Sequence, residues 1–357
     1  MKDYTNELGK IYTDLYGNLP DDAPQAGHLE NTGSLPGDAL SSPKGDEAKE
    51  GTRQAPQKSA MEELDALIGL QKIKDDVKEL ISLAKIQKLR KDAGLQTVPV
   101  SLHLVFSGNP GTGKTTVARI LARLYHEIGI LPKDQLIEVD RSGLVAGYLG
   151  QTAIKTREVI EKAIGGILFI DEAYMLTGEN DAFGQEAVDT ILKAMEDHRE
   201  DLIVIVAGYT DRMEHFINAN PGLKSRFNKY FEFEDYTAEE LIAIFDGFCT
   251  KYQYTLTPQA RENVQSSIRA MEQNKGENFA NARDVRNLFE TVITNQAARI
   301  ASAGSPEKSD LLLITKEDLD PDGSADSHER SCVQETVQEE QDPAGSADSS
   351  PEGDEAP

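Results

Sequence analysis

The sequence predicts an α/β fold, in which strands and helices alternate and a smaller helical domain follows. Two apolar strands, residues 102–107 and 166–170, both run into polar loops, and a further strand and helix lie between them. From Thr237 onward the apolar residues recur mainly at helical spacing. The length of 357 residues exceeds the size at which one hydrophobic core usually stops growing, so two folded units are expected.

The charge distribution separates a folded middle from two acidic flanks. Residues 1–60 carry ten acidic and six basic residues, residues 61–320 carry 41 and 30, and residues 321–357 carry eleven and one. The net charge of the chain is -25. Because a charged segment with few apolar residues does not bury enough surface to fold, we predict a disordered linker over residues 19–60 and a disordered acidic tail over residues 321–357.

Composition also argues against several classes of protein. Cys249 and Cys332 fit neither a metal-site spacing nor a disulfide framework. The first residues open no apolar run of signal-peptide length, and no run approaches the roughly 18 residues needed to span a bilayer. The acidic balance makes nucleic acid an unfavourable partner, because phosphate neutralisation needs clustered Lys and Arg. We therefore expect a cytoplasmic protein with no membrane partner.

A glycine-rich loop follows the first apolar strand. Residues 108–115 read GNPGTGKT, which satisfies the pattern G-x-x-x-x-G-K-[ST], and apolar residues at helical spacing come next. In such a loop the backbone N–H groups wrap phosphates, Lys114 reaches the outer phosphates and the Thr115 hydroxyl ligates Mg²⁺. A glycine-rich turn without a ligand is the alternative, which the flanking strand and helix disfavour. The candidate nucleotide-binding residues here are Asn109, Pro110, Gly111, Thr112, Gly113, Lys114, Thr115 and Thr116.

Two adjacent carboxylates end the second apolar strand. Asp171 and Glu172 directly follow residues 166–170, after an intervening strand at residues 136–139 and a helix at residues 153–163. Asp171 suits the Mg²⁺ shell, and Glu172 suits activation of the attacking water. The glycine-rich loop alone leaves a kinase or a GTPase open. An acidic pair at a strand end is often only a solvated cap, but its place downstream of the glycine-rich loop favours a site that holds Mg²⁺ and activates water for nucleotide hydrolysis.

Seven short blocks, taken in order, resemble one protein family. They are residues 67–70 (LIGL), 108–115 (GNPGTGKT), 144–152 (LVAGYLGQT), 170–174 (IDEAY), 207–209 (AGY), 220–227 (NPGLKSRF) and 281–287 (NARDVRN). With these blocks, the chain from about Met61 to Asp320 resembles the CbxX/CfqX family of AAA+ ATPases, which includes the red-type Rubisco activase and the stage V sporulation protein K-like ATPases. The resemblance implies an AAA+ P-loop NTPase: a three-layer αβα core with a parallel sheet over residues 61–235, and a small α-helical lid over residues 236–320. It also implies ATP hydrolysis in a homo-oligomer, a hexameric ring, that acts on a protein client.

The same resemblance assigns an arginine finger and a phosphate contact from the lid. Arg226 matches the finger that reaches into the ATP site of a neighbouring subunit, where a guanidinium stabilises transition-state charge. An Arg ion-paired on the surface is the alternative, and Lys224 is a weaker candidate for the same interface. Arg283 matches the sensor 2 arginine, and Arg286, three residues on along the helix, is the second candidate for that role.

Three further positions follow from the resemblance. We expect Ile68 and Gly69, which belong to the first matching block, to contact the nucleotide. In AAA+ proteins the strand equivalent to residues 202–207 commonly leads to an Asn at the sensor 1 position, whereas here it leads to residues 208–210 (GYT). Thr210 falls nearest that position, in an alignment with the family that is fixed only to within one residue. Its hydroxyl is a candidate for orienting the attacking water.

A short loop matches the pore loop with which AAA+ unfoldases grip a peptide. Tyr148, Leu149 and Gly150 give its aromatic-hydrophobic-glycine pattern. An aromatic ring offers a large contact area that tolerates any side chain of a client. Gly147 and Gly150 flank the tyrosine and favour a mobile loop over the alternative, a tyrosine packed under its own backbone.

Local signals mark the lid and an N-terminal segment. Thr237 and Glu240 form a capping box before an apolar helix, and Thr257 with Pro258 opens the next helix. Residues 1–18 are predicted to form an amphipathic helix, which either docks on its own domain or binds a partner at the end of a flexible tether. Its apolar face consists of Tyr4, Leu8, Ile11, Tyr12, Leu15 and Tyr16.

The sequence leaves two functions open. The first is an ATP-driven remodeller that threads or pulls a protein client by means of Tyr148. The second is an ATP-dependent assembly scaffold or switch that does not thread its partner. A clamp loader or helicase is a third reading, which the acidic charge disfavours. Nothing in the sequence distinguishes Rubisco from a sporulation or secretion component as the client.

Overall fold

A computed structural model describes residues 59–319, apart from residues 99, 149, 179–180, 277–278 and 303–305. The predicted N-terminal helix at residues 1–18, the predicted disordered tail at residues 321–357 and nearly all of the predicted linker at residues 19–60 lie outside the described residues. Leu149 of the predicted pore loop lies outside them as well.

A parallel five-stranded sheet forms the centre of the molecule. Its strand order is β2-β3-β4-β1-β5, and every neighbouring pair is parallel. Because parallel strands all end at the same edge, the loops that follow them converge there. The predicted parallel sheet is thereby confirmed, and the second strand spans the residues predicted for it. The strands are β1 Leu104–Gly108, β2 Leu136–Val139, β3 Ile167–Ile170, β4 Ile203–Gly208 and β5 Tyr230–Phe233.

Helices cover both faces of this sheet. Alternate strand residues point to opposite faces, so Phe106 and Phe169 pack with α1 to α3 while Val105 and Leu168 pack with α5 to α7. Phe106 lies at the centre of its face, with its ring centroid 4.9 Å from that of Phe233. The helices are α1 Ala60–Ala66, α2 Gln71–Asp92, α3 Lys114–Glu127, α4 Arg141–Leu144, α5 Gln151–Ala163, α6 Ala182–Asp197, α7 Thr210–Ala219 and α8 Pro221–Arg226.

A separate hydrophobic core holds the helical domain that follows the sheet. The Phe289 ring lies at the centre of this core. Its centroid is 5.6 Å from the ring centroid of Phe245, 5.6 Å from that of Phe248 and 5.8 Å from that of Tyr252. The first helix of this domain begins with the predicted capping box of Thr237. A two-stranded parallel sheet pairs the segment after that helix with the last strand of the domain. Its elements are α9 Ala238–Tyr252, β6 Thr255–Leu256, α10 Pro258–Gln273, α11 Ala282–Ser302, α12 Lys308–Leu312 and β7 Leu313–Ile314. Within the described residues, no helix is both long enough and apolar enough to cross a bilayer.

Candidate functional site

The glycine-rich loop lies between the end of β1 and the start of α3. Gly108 and Gly111 have positive φ angles of 145° and 71°. A Cβ at Gly111 would lie 2.0 Å from the carbonyl oxygen of Ala280, which belongs to the lid. Only glycine therefore allows the lid backbone to approach the loop this closely. The hydroxyl of the buried Thr112 donates to the carbonyl oxygen of Asn109 at 2.8 Å and fixes the loop from within.

Lys114 projects from the first residue of α3 back over this loop. Its Nζ donates to the carbonyl oxygens of Gly108 at 2.9 Å and Asn109 at 2.7 Å. Burial lowers the pKa of Lys114 to about 8, against the opposing effect of the nearby Asp171 carboxylate, while the Arg283 guanidinium lowers it further. A lysine whose charge is incompletely compensated by its own chain is suited to binding an anionic phosphate.

Asp171 and Glu172 lie where β3 ends beside β2 and β4. The backbone N–H of Asp171 donates to the carbonyl oxygen of Val139 at 2.8 Å, which extends the strand pairing by one residue. Glu172 then adopts a left-handed conformation with φ of 46°, a conformation that costs a residue with a side chain on the order of 1–2 kcal/mol. Such strain often marks a functional position, and it turns the chain so that both carboxylates line the same cleft.

The cleft between the sheet and the lid has a volume of about 810 Å³, a size typical of small-molecule sites. Its polar wall brings together the glycine-rich loop, both carboxylates and Arg283. Gly69, Asn109 and Thr112 are not among its lining residues. The residues singled out from the sequence that line it are Ile68, Pro110, Gly111, Gly113, Lys114, Thr115, Thr116, Asp171, Glu172, Arg283 and Arg286.

An apolar wall faces the phosphate-binding side of the cleft. Ile68 and Leu70 come from the segment before α2, and Ile244 and Phe248 come from lid helix α9. Flat apolar walls of this kind suit the base of a nucleotide. The sequence identified Ile68 only by resemblance and missed Phe248, since a helical pattern that predicts a core residue does not separate it from one at a ligand.

A single carboxylate joins the glycine-rich loop to the lid. Asp235, in the connection between β5 and α9, accepts hydrogen bonds at Oδ1 from the amides of Asn109 at 3.0 Å and Asn281 at 2.7 Å. The fully buried Asn281 also donates to the carbonyl oxygen of Pro110 and accepts from the N–H of Tyr236 at 2.9 Å, in a left-handed conformation with φ of 52°. Loop and lid are thus linked by bonds that a moving lid has to strain or break. The sequence did not identify Asp235.

The two lid arginines have different surroundings. The Arg286 guanidinium lies over the Phe248 ring at 5.8 Å from the centroid. Arg283 lies at the start of α11 beside Lys114, and its guanidinium makes no hydrogen bond or ion pair with any residue that the structure describes. The Arg286 guanidinium also makes no ion pair with a described residue, and Arg283 is the candidate that lies beside Lys114.

The sensor 1 candidate does not line the cleft. β4 continues through Gly208, one residue beyond the predicted strand, and Thr210 is an exposed residue that begins α7. Gly208 and Tyr209 line the cleft instead. The expected role of Thr210 therefore has no geometric support here, because the chain has already turned into the next helix.

Arg226 lies at the opposite edge of the sheet from Lys114. It ends α8, just before β5, and its carbonyl oxygen accepts a hydrogen bond from the hydroxyl of Ser101 at 2.7 Å, before β1 begins. Its guanidinium pairs with Glu196 of α6 at 2.9 Å. Burial lowers the pKa of His103 to about 4, and the nearby Arg226 guanidinium acts in the same direction. Since β1 spans five residues, the strand alone places Arg226 about 16 Å from the glycine-rich loop of its own chain.

Tyr148 lies in the connection between α4 and α5, away from the nucleotide cleft. Its side chain is 73% exposed, the largest exposed fraction among the large apolar side chains of the described residues. Gly150, with φ of 81°, directly precedes α5. The alternative of a tyrosine packed under its own loop is therefore wrong for Tyr148 in this structure.

Comparisons with known proteins agree with this architecture. Residues 104–235 match the family model described as "ATPase family associated with various cellular activities (AAA)", and residues 237–329 match the model described as "AAA lid domain". The chain is 42% identical over 265 residues to stage V sporulation protein K of Bacillus subtilis, which covers 73% of this chain and 82% of that protein. It is 43% identical over 268 residues to protein CbbX of Cereibacter sphaeroides, at 73% and 86% coverage.

Two further matches are similar in extent. The chloroplastic ribulose bisphosphate carboxylase/oxygenase activase of Cyanidioschyzon merolae is 44% identical over 259 residues, which is 71% of this chain and 87% of that protein. Among solved structures, the crystal structure of the FIGL-1 AAA domain in complex with ADP matches with a TM-score of 0.51 at 18% identity, covering 71% of this chain and 80% of that one. At 18% identity, the structural match supports the fold and nothing more specific.

Proposed function

Because the chain belongs to the CbxX/CfqX family of AAA+ ATPases, we propose that it hydrolyses ATP in a hexameric ring in order to remodel a protein client. Nucleotide binding follows from the family, and the cleft between sheet and lid offers a place for it. The ring, the assignment of residues to steps and the client are the parts that we propose.

Within one chain, we assign the cleft residues to binding and to activation of water. Lys114 and the N–H groups of the glycine-rich loop hold the phosphates, and Arg283 contacts them from the lid. Thr115 and Asp171 both line the cleft with oxygen donors, which fits Mg²⁺. No cluster of three or more acidic, His or Cys residues that could hold a metal occurs among the described residues, which agrees with an ion held mainly by phosphate and one or two side chains. Bound there, Mg²⁺ would neutralise phosphate charge, and Glu172 would accept the proton of the attacking water.

The observation that carries the proposal is the position of Arg226. Arg226 lies at the opposite end of β1 from its own glycine-rich loop, about 16 Å away along the strand, and its guanidinium pairs with Glu196 there and does not line its own cleft. It lies on the surface that a neighbouring copy must face if the finger is to reach the neighbour's phosphate. Hydrolysis then depends on assembly, as expected for a ring in which each site is shared between two subunits.

Tyr148 gives the proposal its mechanical part. A tyrosine side chain that is 73% exposed and does not line the nucleotide cleft suits the contact with a client segment in the pore of the proposed hexamer. The identity of the client is open, and the names of the relatives point to Rubisco for one and to sporulation for another.

The test separates binding of the client from hydrolysis of ATP. Glu172→Gln should bind ATP without splitting it, so proteins that co-purify with this variant are candidate clients. We expect Tyr148→Ala alone to retain ATPase activity within about twofold, because the tyrosine side chain does not line the nucleotide cleft. Added to Glu172→Gln, it should abolish capture of the client. Unchanged capture would favour the ATP-dependent assembly scaffold or switch instead.

A further inference from the structure

A buried lysine lies next to the cleft but has no part in the steps assigned above. Lys74, in the first turn of α2, is only 8% exposed. Lysine is rarely buried in proteins unless its charge is compensated, because removing an ammonium group from water costs free energy. The groups that compensate the Lys74 charge therefore indicate what this side chain does.

The Lys74 ammonium is compensated by the C-terminal end of α1. Its Nζ donates to the carbonyl oxygen of Asp65 at 3.1 Å and to that of Leu67 at 2.5 Å. The last carbonyl groups of a helix have no partner within the helix and carry a partial negative charge, so a cation is stabilised there. The carboxylate of Asp65 pairs instead with the partly exposed Lys78, at 2.7 Å. Lys74 thus binds the backbone and fixes the place where α1 ends.

Lys74 also holds the other side of the connection between α1 and α2. Its backbone N–H donates to the carbonyl oxygen of Leu70 at 2.9 Å, so this one residue bonds to both Leu67 and Leu70. The two residues between them are Ile68 and Gly69. Gly69 and Leu70 both adopt left-handed conformations, with φ of 61° and 56°. Because this conformation is unfavourable for leucine, surrounding contacts have to maintain it, and the Lys74 hydrogen bonds are such contacts.

The connection that Lys74 holds forms part of the apolar wall of the cleft. Leu67, Ile68 and Leu70 line the cleft, as does part of lid helix α9. A Cβ at Gly247 of that helix would lie 4.0 Å from the Cδ1 of Ile68, which places the isoleucine side chain against the lid. The width of the space between the connection and α9 therefore depends on where Lys74 holds Ile68.

We propose that Lys74 is a positioning residue for the base of the nucleotide. It does not line the cleft itself; it holds Ile68 at the distance from α9 that a flat base fills. The phosphates are bound by the glycine-rich loop and Lys114, whose hydrogen bonds do not involve Lys74. This role rests on the proposed function, because it presupposes a nucleotide in the cleft.

The experiment compares the binding of ADP with that of inorganic tripolyphosphate, which carries phosphates and no base, by calorimetry on the full-length chain. Lys74→Met keeps an apolar side chain of similar length and removes the donors to Asp65 and Leu67. We expect the dissociation constant of ADP to rise about tenfold and that of tripolyphosphate to stay within about twofold. Retained binding of tripolyphosphate also shows that the variant is folded. Lys114→Met, in contrast, should weaken the binding of both ligands.

Lys78→Met is the matched control. Lys78 lies one turn further along α2 and bonds to the Asp65 carboxylate rather than to a backbone carbonyl. Its replacement removes the same charge from the same helix, so both dissociation constants should stay within about twofold of those of the unaltered chain. An effect on ADP as large as that of Lys74→Met would make the loss of charge on α2 the cause and would overturn the proposal.

A second variant moves the same connection from its other side. A Cβ at Gly69 would lie 2.3 Å from the Oε1 of Glu240 in the lid, and a φ of 61° is unfavourable for alanine. Gly69→Ala should therefore shift Ile68 and raise the dissociation constant of ADP about threefold or more, with that of tripolyphosphate within about twofold.

Two further results would overturn the role of Lys74 alone. The first is an unchanged ADP affinity in Lys74→Met or in Gly69→Ala. The second is a parallel loss of affinity for both ligands in Lys74→Met, which would mean that this lysine supports the whole fold rather than the base-binding side of the cleft. An unaltered chain that fails to bind ADP would instead contradict the proposed function, together with the role that rests on it.

Discussion

The two halves of the proposed catalytic site differ in how completely one chain builds them. The nucleotide-binding half is enclosed and internally bonded: Lys114 donates to two loop carbonyl oxygens, and Asp235 joins that loop to the lid. The Arg226 half lies at the other edge of the sheet, where the guanidinium pairs with the exposed Glu196 and also donates to the carbonyl oxygen of Gly222 and the hydroxyl of Ser225. One chain therefore has a place for a nucleotide and, outside that place, a partly buried arginine that is paired within its own chain.

This difference bears on how ATP hydrolysis would be controlled. In the proposed ring, a site that binds nucleotide but lacks its arginine would be completed by a neighbouring subunit, so assembly would set the rate of hydrolysis. A partly exposed ion pair such as that of Arg226 with Glu196 contributes little to stability, typically below about 1 kcal/mol, so its exchange for a phosphate of the adjacent subunit would cost little. Binding and turnover should then respond differently to substitutions in the two halves.

The largest expected effect is the loss of ATP turnover on substitution of Arg226. Arg226→Ala should lower the turnover number by about 10³-fold or more, because it removes the positive charge that offsets transition-state charge. The ATP affinity of the isolated chain should stay within about twofold, since Arg226 lies at the far edge of the sheet. Steady-state ATPase rates and nucleotide titrations measure the two quantities. A comparable loss of affinity would place Arg226 in its own chain's site.

Glu196→Gln is the matched control for that substitution. It breaks the ion pair with Arg226 and keeps the finger, so the turnover number should remain within about threefold of the unaltered chain. A loss as large as that of Arg226→Ala would mean that Glu196 itself positions the finger.

A smaller effect is expected where the loop meets the lid. Asn281→Gly should lower the free energy of unfolding by about 1–3 kcal/mol, because the buried amide bonds to Asp235, Pro110 and Tyr236 are lost. Asn281→Ala should cost about 1 kcal/mol more, since alanine is strained at a φ of 52° where glycine is not. Denaturant titration of both variants measures the difference, and equal stabilities would contradict the left-handed geometry.

The smallest expected effect is the pH dependence of nucleotide binding, which involves Lys114. Burial places the pKa of Lys114 at about 8, so the side chain of the nucleotide-free protein is charged below that pH and loses its proton above it. Phosphate binds the charged form, and the dissociation constant for ADP should rise by up to about tenfold per pH unit above pH 8. In Lys114→Arg the charge persists and any remaining affinity should be flat over this range. A flat profile for the unaltered chain would show that the lysine keeps its proton.

Local sequence predicted the strands and helices that surround the cleft for a physical reason. The glycine-rich loop requires fixed residue types at fixed spacing, and strands such as β2 at Leu136–Val139 follow from short apolar runs. The capping box at Thr237 is likewise a signal contained within four residues. In each case, neighbours in sequence determine the geometry.

Contacts between distant residues could not be predicted in this way. Asp235 and Asn281 are 46 residues apart, and Glu196 and Arg226 are 30 apart, so neither pair leaves a local pattern. The left-handed conformation of Asn281 depends on the packing of the lid against the loop. The local pattern also did not give the end of β4, which continues through Gly208, and Thr210 then begins α7 outside the cleft lining.

Mixing two inactive variants tests the shared site most directly. Glu172→Gln lacks the base but keeps Arg226, and Arg226→Ala lacks the finger but keeps the carboxylates, so each should hydrolyse ATP poorly alone. If the finger acts between subunits, a mixed ring places an intact Arg226 against an intact Glu172, and the mixture should recover a substantial fraction of the ATPase activity. A mixture no more active than the average of its two components would contradict a site shared between neighbouring chains.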